Sequence, residues 1–194
     1  KMVRIGILAS GNGSNAQRLV EHFTGHPHAE VVLIGSDRPQ AHVVQRAWDM
    51  GVPLYLFNGA LLRTGAVLRE LQGQQVDLLV LAGFLRLIPA ELVKAFPERI
   101  INLHPALLPK FGGRGMFGQH VHQAVLAAGE KESGITIHYV DERYDEGEHI
   151  AQFRCPVLPG DTATTLAERI HDLEHAHFPQ VVEEIVRRSS AVVG

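Results

Sequence analysis

The sequence lacks the features that define several large classes of protein. It has one cysteine, Cys155, so it has no pair for an internal disulfide or a cysteine zinc site. Aromatic residues are only 6% of the chain, but 45% of the residues are hydrophobic, so bulk disorder is not expected. No apolar run approaches the roughly 20 residues of a membrane-spanning helix, and no secretory signal is recognisable.

Neither sign of charge dominates the composition. The chain has 18 Lys and Arg against 21 Asp and Glu, a formal net charge of −3. This balance offers no basic surface for nucleic acid, so we expect no nucleic-acid partner and no membrane partner. The length and ordinary hydrophobic content predict one soluble cytoplasmic domain over residues 1–194.

Short apolar runs alternate with helical patterns over the first hundred residues. Five runs have the length and composition of strands: residues 3–9, 31–35, 53–57, 76–82 and 100–103. The run at 76–82 is apolar on both faces, which is typical of a central strand in a covered parallel sheet. The alternation predicts an α/β fold with a doubly wound, mostly parallel central sheet and helices on both faces.

Several local features follow from the same patterns. We expect one helix over residues 61–71, weakened by Gly65, and two strands after residue 134 joined by a loop at 141–148. Asp161 and Thr162 are suited to cap a long final helix. Pro179 is expected to kink or break that helix.

Ligands of open α/β sheets bind beyond the carboxyl ends of the strands, where the strand order reverses. The loop at residues 10–15 follows the first strand and allows three interpretations. Its glycines and the next helix could form a nest of N–H groups for a phosphate. The G-x-G-x-x-A spacing also fits a dinucleotide site with Asp37 as the ribose acid, and a ligand-free turn is the third possibility.

A second group of polar residues follows the later strands. Asn102 and His104 lie two apart at a strand end, so their side chains can share one face. An amide donor beside an imidazole can stabilise a developing oxyanion. If the predicted loop folds over the same cleft, Asp145 can orient or charge the imidazole, or relay a proton through water. His138 points into the same region if its strand joins the sheet, although a structural role is expected for an isolated strand histidine.

Four further histidines stand near glycine loops or on helices, namely His120, His122, His171 and His175. We expect no metal at them. His171 and His175 are one helical turn apart, but no third ligand follows in a zinc pattern. We therefore interpret these histidines as parts of solvated or partly buried helix faces.

Four motifs occur in order along nearly the whole chain. They are Ser-Gly-Asn-Gly-Ser-Asn at 10–15, Leu-Ala-Gly-Phe-Leu-Arg-Leu-Ile at 81–88, Ile-Asn-Leu-His-Pro-Ala-Leu-Leu-Pro at 101–109 and Gly-Ile-Thr-Ile-His-Tyr-Val at 134–140. Asp145-Glu146-Gly147 follows, and Glu174-His175 stands before Phe178-Pro179. In these motifs the chain resembles the phosphoribosylglycinamide formyltransferases, the folate-dependent glycinamide ribonucleotide transformylases of purine synthesis.

The resemblance implies a Rossmann-like formyltransferase fold and a set of site residues. The implied catalytic residues are Asn102, His104 and Asp145. The implied substrate-binding residues are Gly13, Ser14, Asn15, His171, Asp172, Leu173 and Glu174. The implied residues for the folate are Arg63, Leu85, Arg86, Leu87, Ile88, Asn102, Val140, Asp141 and Asp145. The family pattern differs at residues 110–118, where this chain has a longer, glycine-rich link.

The resemblance also implies an activity. The chain is expected to transfer the formyl group of 10-formyltetrahydrofolate to the amine of glycinamide ribonucleotide, through a tetrahedral oxyanion and without a metal. A homodimer is one of the expected assemblies. The alternatives are a hydrolase of the same folate and a non-catalytic nucleotide-binding module. Transfer to aminoacyl-tRNA is disfavoured by the acidic balance, and an NAD oxidoreductase leaves the Asn-Leu-His-Pro block unexplained.

Overall fold

The computed structural model describes residues 1–193, in which seven strands form one sheet flanked by helices. The strands are β1 (Val3–Leu8), β2 (Ala29–Ser36), β3 (Leu54–Leu56), β4 (Leu78–Leu81), β5 (Ile100–His104), β6 (Glu132–Tyr139) and β7 (His149–Pro156). The helices are α1 (Ser14–Phe23), α2 (His42–Met50), α3 (Gly59–Arg63), α4 (Ala66–Gly73), α5 (Ala90–Ala95), α6 (Gln119–Ala127) and α7 (Ala163–Val193).

The sheet has the order β3-β2-β1-β4-β5-β6-β7. The pairs among β1 to β5 are parallel, whereas β5 with β6 and β6 with β7 are antiparallel. The mostly parallel, doubly wound sheet predicted from the sequence is therefore confirmed.

Helices cover both faces of this sheet, as predicted. One hydrophobic core lies under α1, α2, α6 and α7 and includes the buried Leu19, Ala47 and Phe178. A second core lies under α3, α4 and α5 on the other face and includes Val67 and Leu92. Burial on both faces is the reason that the central strands β1 and β4 read as continuous apolar runs.

The strand order reverses beside β1, which lies between β2 and β4. The chain leaves β1 towards one edge of the sheet and returns at β4 to build the other half. The loops that follow β1 and β4 consequently lie side by side, and the Ser10 N–H donates to the Gly83 carbonyl at 3.0 Å. This reversal opens a crevice of the kind that binds ligands in doubly wound folds.

The single helix predicted at residues 61–71 is wrong, because the structure has two helices there. Helix α3 ends at Arg63 and α4 begins at Ala66, with Gly65 between them at φ 90°. That left-handed conformation is open to glycine and interrupts the helical hydrogen-bond ladder. The glycine therefore separates two helices rather than weakening one.

Pro179 does not break α7, which continues from Ala163 to Val193. The buried side chains of Phe178, Val182 and Val186 hold this helix against the sheet on both sides of the proline. Packing thus offsets the backbone hydrogen bond that proline removes. The predicted cap is present, since Thr162 Oγ1 accepts a hydrogen bond from the Thr165 N–H at 3.2 Å. Within residues 1–193, no helix has the length and apolar character needed to cross a membrane.

Candidate functional site

A cleft of about 650 Å³ opens at the carboxyl edge of the sheet, over the point where the strand order reverses. Its floor is formed by the loops after β1, β4 and β5, and its walls by residues 113–119, the β6–β7 loop and α7. Sequence-predicted site residues that line it are Gly13, Ser14, Asn15, Leu85, Asn102, His104, Asp145, His171 and Glu174.

One end of the cleft is the N-terminus of α1. Gly13 precedes the helix with φ 80°, and no side chain caps the first turn. The free N–H groups and the helix dipole therefore face the cleft, an arrangement that binds anions. A Cβ at Gly13 would lie 2.6 Å from the Val43 Cβ, so close packing as well as φ requires glycine there.

The last helix closes this end of the cleft with titratable side chains. The Glu174 carboxyl accepts a hydrogen bond from Asn15 Nδ2 at 3.3 Å. Burial raises the pKa of Glu174 to about 7, although the Asn15 hydrogen bond opposes the shift. His175 Nε2 lies 3.2 Å from Ser14 Oγ. Helix α7 thus brings an acid and an imidazole to the start of α1.

The dinucleotide interpretation depends on Asp37 as the ribose acid, but in the structure other groups occupy this carboxylate. Asp37 is only 8% exposed. Its carboxylate accepts hydrogen bonds from Ser10 Oγ at 2.6 Å and from Arg86 Nε at 2.8 Å. Both oxygens are therefore engaged in joining the loops after β1, β2 and β4. Asp37 has a structural role here, and no ribose hydroxyl can reach it without displacing these partners.

The other end of the cleft gathers four polar side chains from β5, β6 and the β6–β7 loop. In the antiparallel pairing Asn102 faces His138 across the two strands. Asn102 Nδ2 lies 3.1 Å from His138 Nε2 and 3.4 Å from Asp145 Oδ1. His138 Nδ1 donates to the Tyr139 carbonyl at 2.9 Å, so its Nε2 accepts from the amide. His138 therefore fixes the orientation of the Asn102 amide.

His104 is held between the glycine-rich link and Asp145. Its Nε2 donates to the Phe111 carbonyl at 2.8 Å, and its Nδ1 lies 3.6 Å from Asp145 Oδ1. Burial lowers the pKa of His104, and although Asp145 and the Phe111 carbonyl act to raise it, the net shift is downward. The imidazole is thus poised to be neutral, with Nδ1 on the side of the Asp145 carboxylate.

Asp145 is placed by an unusual backbone. Its φ is 54°, in the left-handed region, and its Oδ2 accepts from the Gly113 N–H at 3.0 Å. A Cβ at Gly147 would overlap the Tyr139 carbonyl oxygen, so glycine is needed for the loop to turn there. Burial acts to raise the pKa of Asp145, but His138, His104 and the Gly113 N–H together hold it below its ordinary value.

His122 is a residue whose environment the sequence interpretation missed. It is 3% exposed, lines the cleft, and its Nδ1 has no hydrogen-bond partner in residues 1–193. Burial lowers its pKa to about 4, with further lowering from His171 and His104. Interpreting His122 as part of a solvated or partly buried helix face is therefore wrong, whereas His120 is exposed. In the described chain, no three His, Cys, Asp or Glu side chains are grouped to hold a metal ion.

The residues implied for the folate fall into two groups. Leu85 lines the cleft, and its N–H donates to Ser10 Oγ at 3.1 Å. Asn102 and Asp145, which are also implied for the folate, line it as well, whereas six residues lie outside the lining: Arg63, Arg86, Leu87, Ile88, Val140 and Asp141. Arg63 and Arg86 both place a guanidinium against Gly59, where a Cβ would lie within 2.8 Å of either. Arg86 belongs to the segment at 85–88, and Arg63 lies close to the same glycine.

Two of the residues implied for the substrate are also outside this lining. Asp172 is exposed, and Leu173 is half-buried and packs against the core of the α7 face. Of the four consecutive residues at 171–174, the helix therefore turns only His171 and Glu174 into the cleft. Their separation of three residues is the helical spacing that places two side chains on one face.

Sequence reasoning also left out Arg38, Tyr144 and the segment 113–119, which line the cleft. The glycine-rich link at 110–118 stands out in the sequence, but its place in the cleft, like that of Arg38 and Tyr144, does not follow from local sequence, because these residues reach the cleft through loop geometry. His138 could have been assigned from the sequence only with the β5–β6 register in hand, since that register sets it opposite Asn102.

The class of protein follows from the fold and from its sequence match. Residues 3–182 match the formyl transferase family. The chain belongs to that family.

Three relatives show which members of the family the chain is similar to. The chain is 40% identical to the chloroplastic phosphoribosylglycinamide formyltransferase of Vigna unguiculata, covering 94% of this chain and 60% of that protein. It is 38% identical to the phosphoribosylglycinamide formyltransferase of Bacillus subtilis, covering 95% of each. The crystal structure of glycinamide ribonucleotide transformylase 1 from Symbiobacterium toebii is similar with a TM-score of 0.88 and 37% identity, covering 96% of this chain and 88% of that one.

Proposed function

We propose that this chain transfers the formyl group of 10-formyltetrahydrofolate to the amine of glycinamide ribonucleotide in purine biosynthesis. The observation that carries the proposal is the convergence of Asn102, His104 and Asp145 at one end of a cleft whose other end is an uncapped helix N-terminus. A phosphate held at α1 would leave the rest of a nucleotide extending towards the three polar side chains. The relatives from Bacillus subtilis and Symbiobacterium toebii are named as a phosphoribosylglycinamide formyltransferase and a glycinamide ribonucleotide transformylase, which supports the proposal.

The nucleotide end of the cleft suits the substrate. The N–H groups at Gly13, Ser14 and Asn15 would bind the 5′-phosphate. Glu174 is placed to accept hydrogen bonds from the ribose hydroxyls, and His171 lies on the same face of α7. Asp172 and Leu173, on the neighbouring faces of α7, would also contribute to binding of the nucleotide. Binding energy at the phosphate is far from the reacting atoms, so it can hold the amine in place.

The formyl donor would lie along residues 85–88, with its tail towards Arg63 and Arg86. The main chain of that segment would hold the pterin ring, and Val140 and Asp141 would close over it. This substrate supplies an activated formyl carbon. No resident metal or prosthetic group is part of the proposal.

The polar cluster can carry the transfer. The amine attacks the formyl carbon, and the carbonyl oxygen becomes an oxyanion. Asn102 Nδ2 is held loosely by Asp145 at 3.4 Å, so one of its N–H groups can turn to that oxygen. His104 donates through Nδ1 only when it is protonated, since its Nε2 proton is engaged by Phe111. Asp145 stabilises that protonated form. His104, Asp145 and water pass a proton from the attacking amine to the folate nitrogen, which leaves as its bond to the formyl carbon breaks.

A formyl-transfer assay tests the proposal directly. The protein is mixed with a 10-formyl folate, and the deformylated folate is followed spectrophotometrically with and without glycinamide ribonucleotide. We expect release that depends on the nucleotide. Release without the nucleotide would instead establish the hydrolase, and binding of both substrates without release would establish a non-catalytic module. The cytoplasmic location and the homodimer stay predictions from the sequence.

The variant Asn102→Ala gives the sharpest mechanistic test of this assignment. Because it removes one oxyanion donor, kcat is expected to fall about 10²- to 10³-fold, while the Kd for the nucleotide stays within about threefold. Stopped-flow turnover and calorimetric titration of the nucleotide measure the two quantities. Gln123→Ala removes an exposed amide on α6 and serves as the control. Equal losses in turnover and binding would contradict the role of Asn102.

A further inference from the structure

Helix α2 contacts the nucleotide end of the cleft from behind, through residues that the chemistry does not use. The Val43 N–H donates to the Gly11 carbonyl at 3.1 Å. This N–H lies in the first turn of α2 and has no partner within its own helix. The Val43 side chain also packs under Gly13. The first turn of α2 therefore supports the loop at residues 11–13 by a hydrogen bond and by contact.

Arg46, one turn further along α2, fixes the same loop by its guanidinium. Its Nε donates to the Asn12 carbonyl at 2.8 Å, and its Nη2 donates to Asn12 Oδ1 at 2.8 Å. Its Nη1 donates to Gln17 Oε1, on the first turns of α1. One planar guanidinium thus joins the main chain of the loop, a loop side chain and the helix that the loop begins. A lysine has no such fork of donors.

The charge of Arg46 is not neutralised by a carboxylate. Over residues 1–193 its partners are an amide side chain, a main-chain oxygen and a second amide, and it takes part in no ion pair. Burial, Arg18, His171 and, to a smaller extent, Arg46 lower the pKa of His175 while Asp172 acts to raise it, and the His175 ring lies 3.2 Å from Ser14 Oγ at the start of α1. A positive charge that acts at the start of α1 favours an anion there.

We propose that Arg46 is the positioning residue for nucleotide recognition. It holds the glycine loop with its N–H groups facing the cleft, and its unpaired charge attracts the phosphate without touching it. The assignment rests on the proposed function for the identity of the nucleotide, but it requires only that a phosphate monoester binds at the N-terminus of α1.

The role separates binding from turnover. In Arg46→Ala the Kd for glycinamide ribonucleotide is expected to rise about 10- to 100-fold, because the glycine loop loses the contacts that hold its N–H groups in place and a positive charge near the phosphate is removed. The kcat at saturating nucleotide and the KM for the folate should stay within about threefold. Arg46→Lys keeps the charge and loses the fork, so it should recover only part of the affinity. The exposed Gln45→Ala on the same helix is the control and should bind as the unsubstituted protein does.

Calorimetric titrations with glycinamide ribonucleotide and with ribose 5-phosphate measure these affinities, and the formyl-transfer assay measures kcat. Asn12→Ala and the double variant complete a cycle, in which the losses should be non-additive because the two side chains contact each other. An unchanged Kd in Arg46→Ala, or a kcat that falls in proportion to affinity, would overturn the proposal.

Failure of the proposed function gives a different pattern. If the unsubstituted protein binds ribose 5-phosphate but shows no nucleotide-dependent transfer, the proposed reaction is wrong. Weaker ribose 5-phosphate binding by Arg46→Ala then still supports the role of Arg46, and equal binding refutes it. If the unsubstituted protein does not bind ribose 5-phosphate or the ribonucleotide, the assignment of Arg46 fails as well.

Discussion

The two ends of the cleft are built in different ways. The end proposed to bind phosphate, called the phosphate end, uses main-chain groups from one short stretch of sequence, residues 11–15, supported by two helices. The end proposed to be catalytic, called the catalytic end, uses side chains from β5, β6 and the β6–β7 loop that are separated by up to 43 residues in the sequence. Main-chain recognition depends on conformation, and side-chain chemistry depends on identity. We therefore expect substitutions that alter the backbone conformation to weaken binding at the phosphate end. Isosteric side-chain substitutions should instead lower turnover at the catalytic end.

Asp145→Asn should have the largest effect and is confined to the catalytic end. The amide oxygen of asparagine can still accept from the Gly113 N–H, so the loop keeps its anchor. The charge that favours protonated His104 is lost, and kcat is expected to fall by about 10³-fold. Rapid-quench formyl transfer measures the loss. The exposed Glu142→Gln in the same loop is the control, with activity within about twofold. Near-normal turnover in Asp145→Asn would remove this carboxylate from the reaction.

Gly13→Ala is the reciprocal change at the phosphate end. The new Cβ meets Val43 at 2.6 Å, and φ at this position is 80°. The loop must shift, which turns its N–H groups away from the cleft, so the Kd for the nucleotide should rise about 100-fold. Binding of the folate alone should be unaffected. Gly73→Ala, in α4 with open space around it, controls for the added methyl group. An unaltered nucleotide Kd in Gly13→Ala would show that the phosphate binds elsewhere.

Glu174 allows the electrostatics of the phosphate end to be measured without ligand. Because its pKa is raised to about 7 in the folded chain, the folded state holds its proton more tightly than the unfolded state does. This carboxyl therefore stabilises the fold less and less as the pH rises from about 4.5 through 7. As the pH rises from 5 to 8, the free energy of unfolding of Glu174→Gln should therefore increase by roughly 2 to 3 kcal/mol relative to that of the unsubstituted protein.

Urea unfolding at several pH values checks this expectation. Glu21→Gln, which removes an exposed carboxylate on α1, is the control for the loss of one acidic side chain. A pH-independent difference for Glu174→Gln would mean that its carboxyl is as well solvated in the folded chain as in the unfolded one.

Much of this molecule was predictable from local sequence. The strands at β1 and β4 followed from their apolar runs, and the sheet class followed from the alternation of strands and helices. The glycine loop before α1 and the Asn102–His104 pair at the end of β5 are short-range patterns, since φ preferences and strand periodicity act within a few residues. The prediction of one helix where the structure has two, at residues 59–73, was wrong. The hydrophobic periodicity continues across Gly65, although the helical backbone conformation does not.

Other features were decided only by tertiary structure. His138 joins the site because the β5–β6 register sets it opposite Asn102, and His122 is buried because α6 packs its face onto the cleft. Pro179 remains within a helix because the core holds both of its flanks. The Asp37 carboxylate is engaged by groups from two other loops, and Arg46 supports the glycine loop from a different helix. Local sequence determines which conformations a segment favours, whereas register, burial and unpaired charge are properties of segments that meet only when the chain has folded.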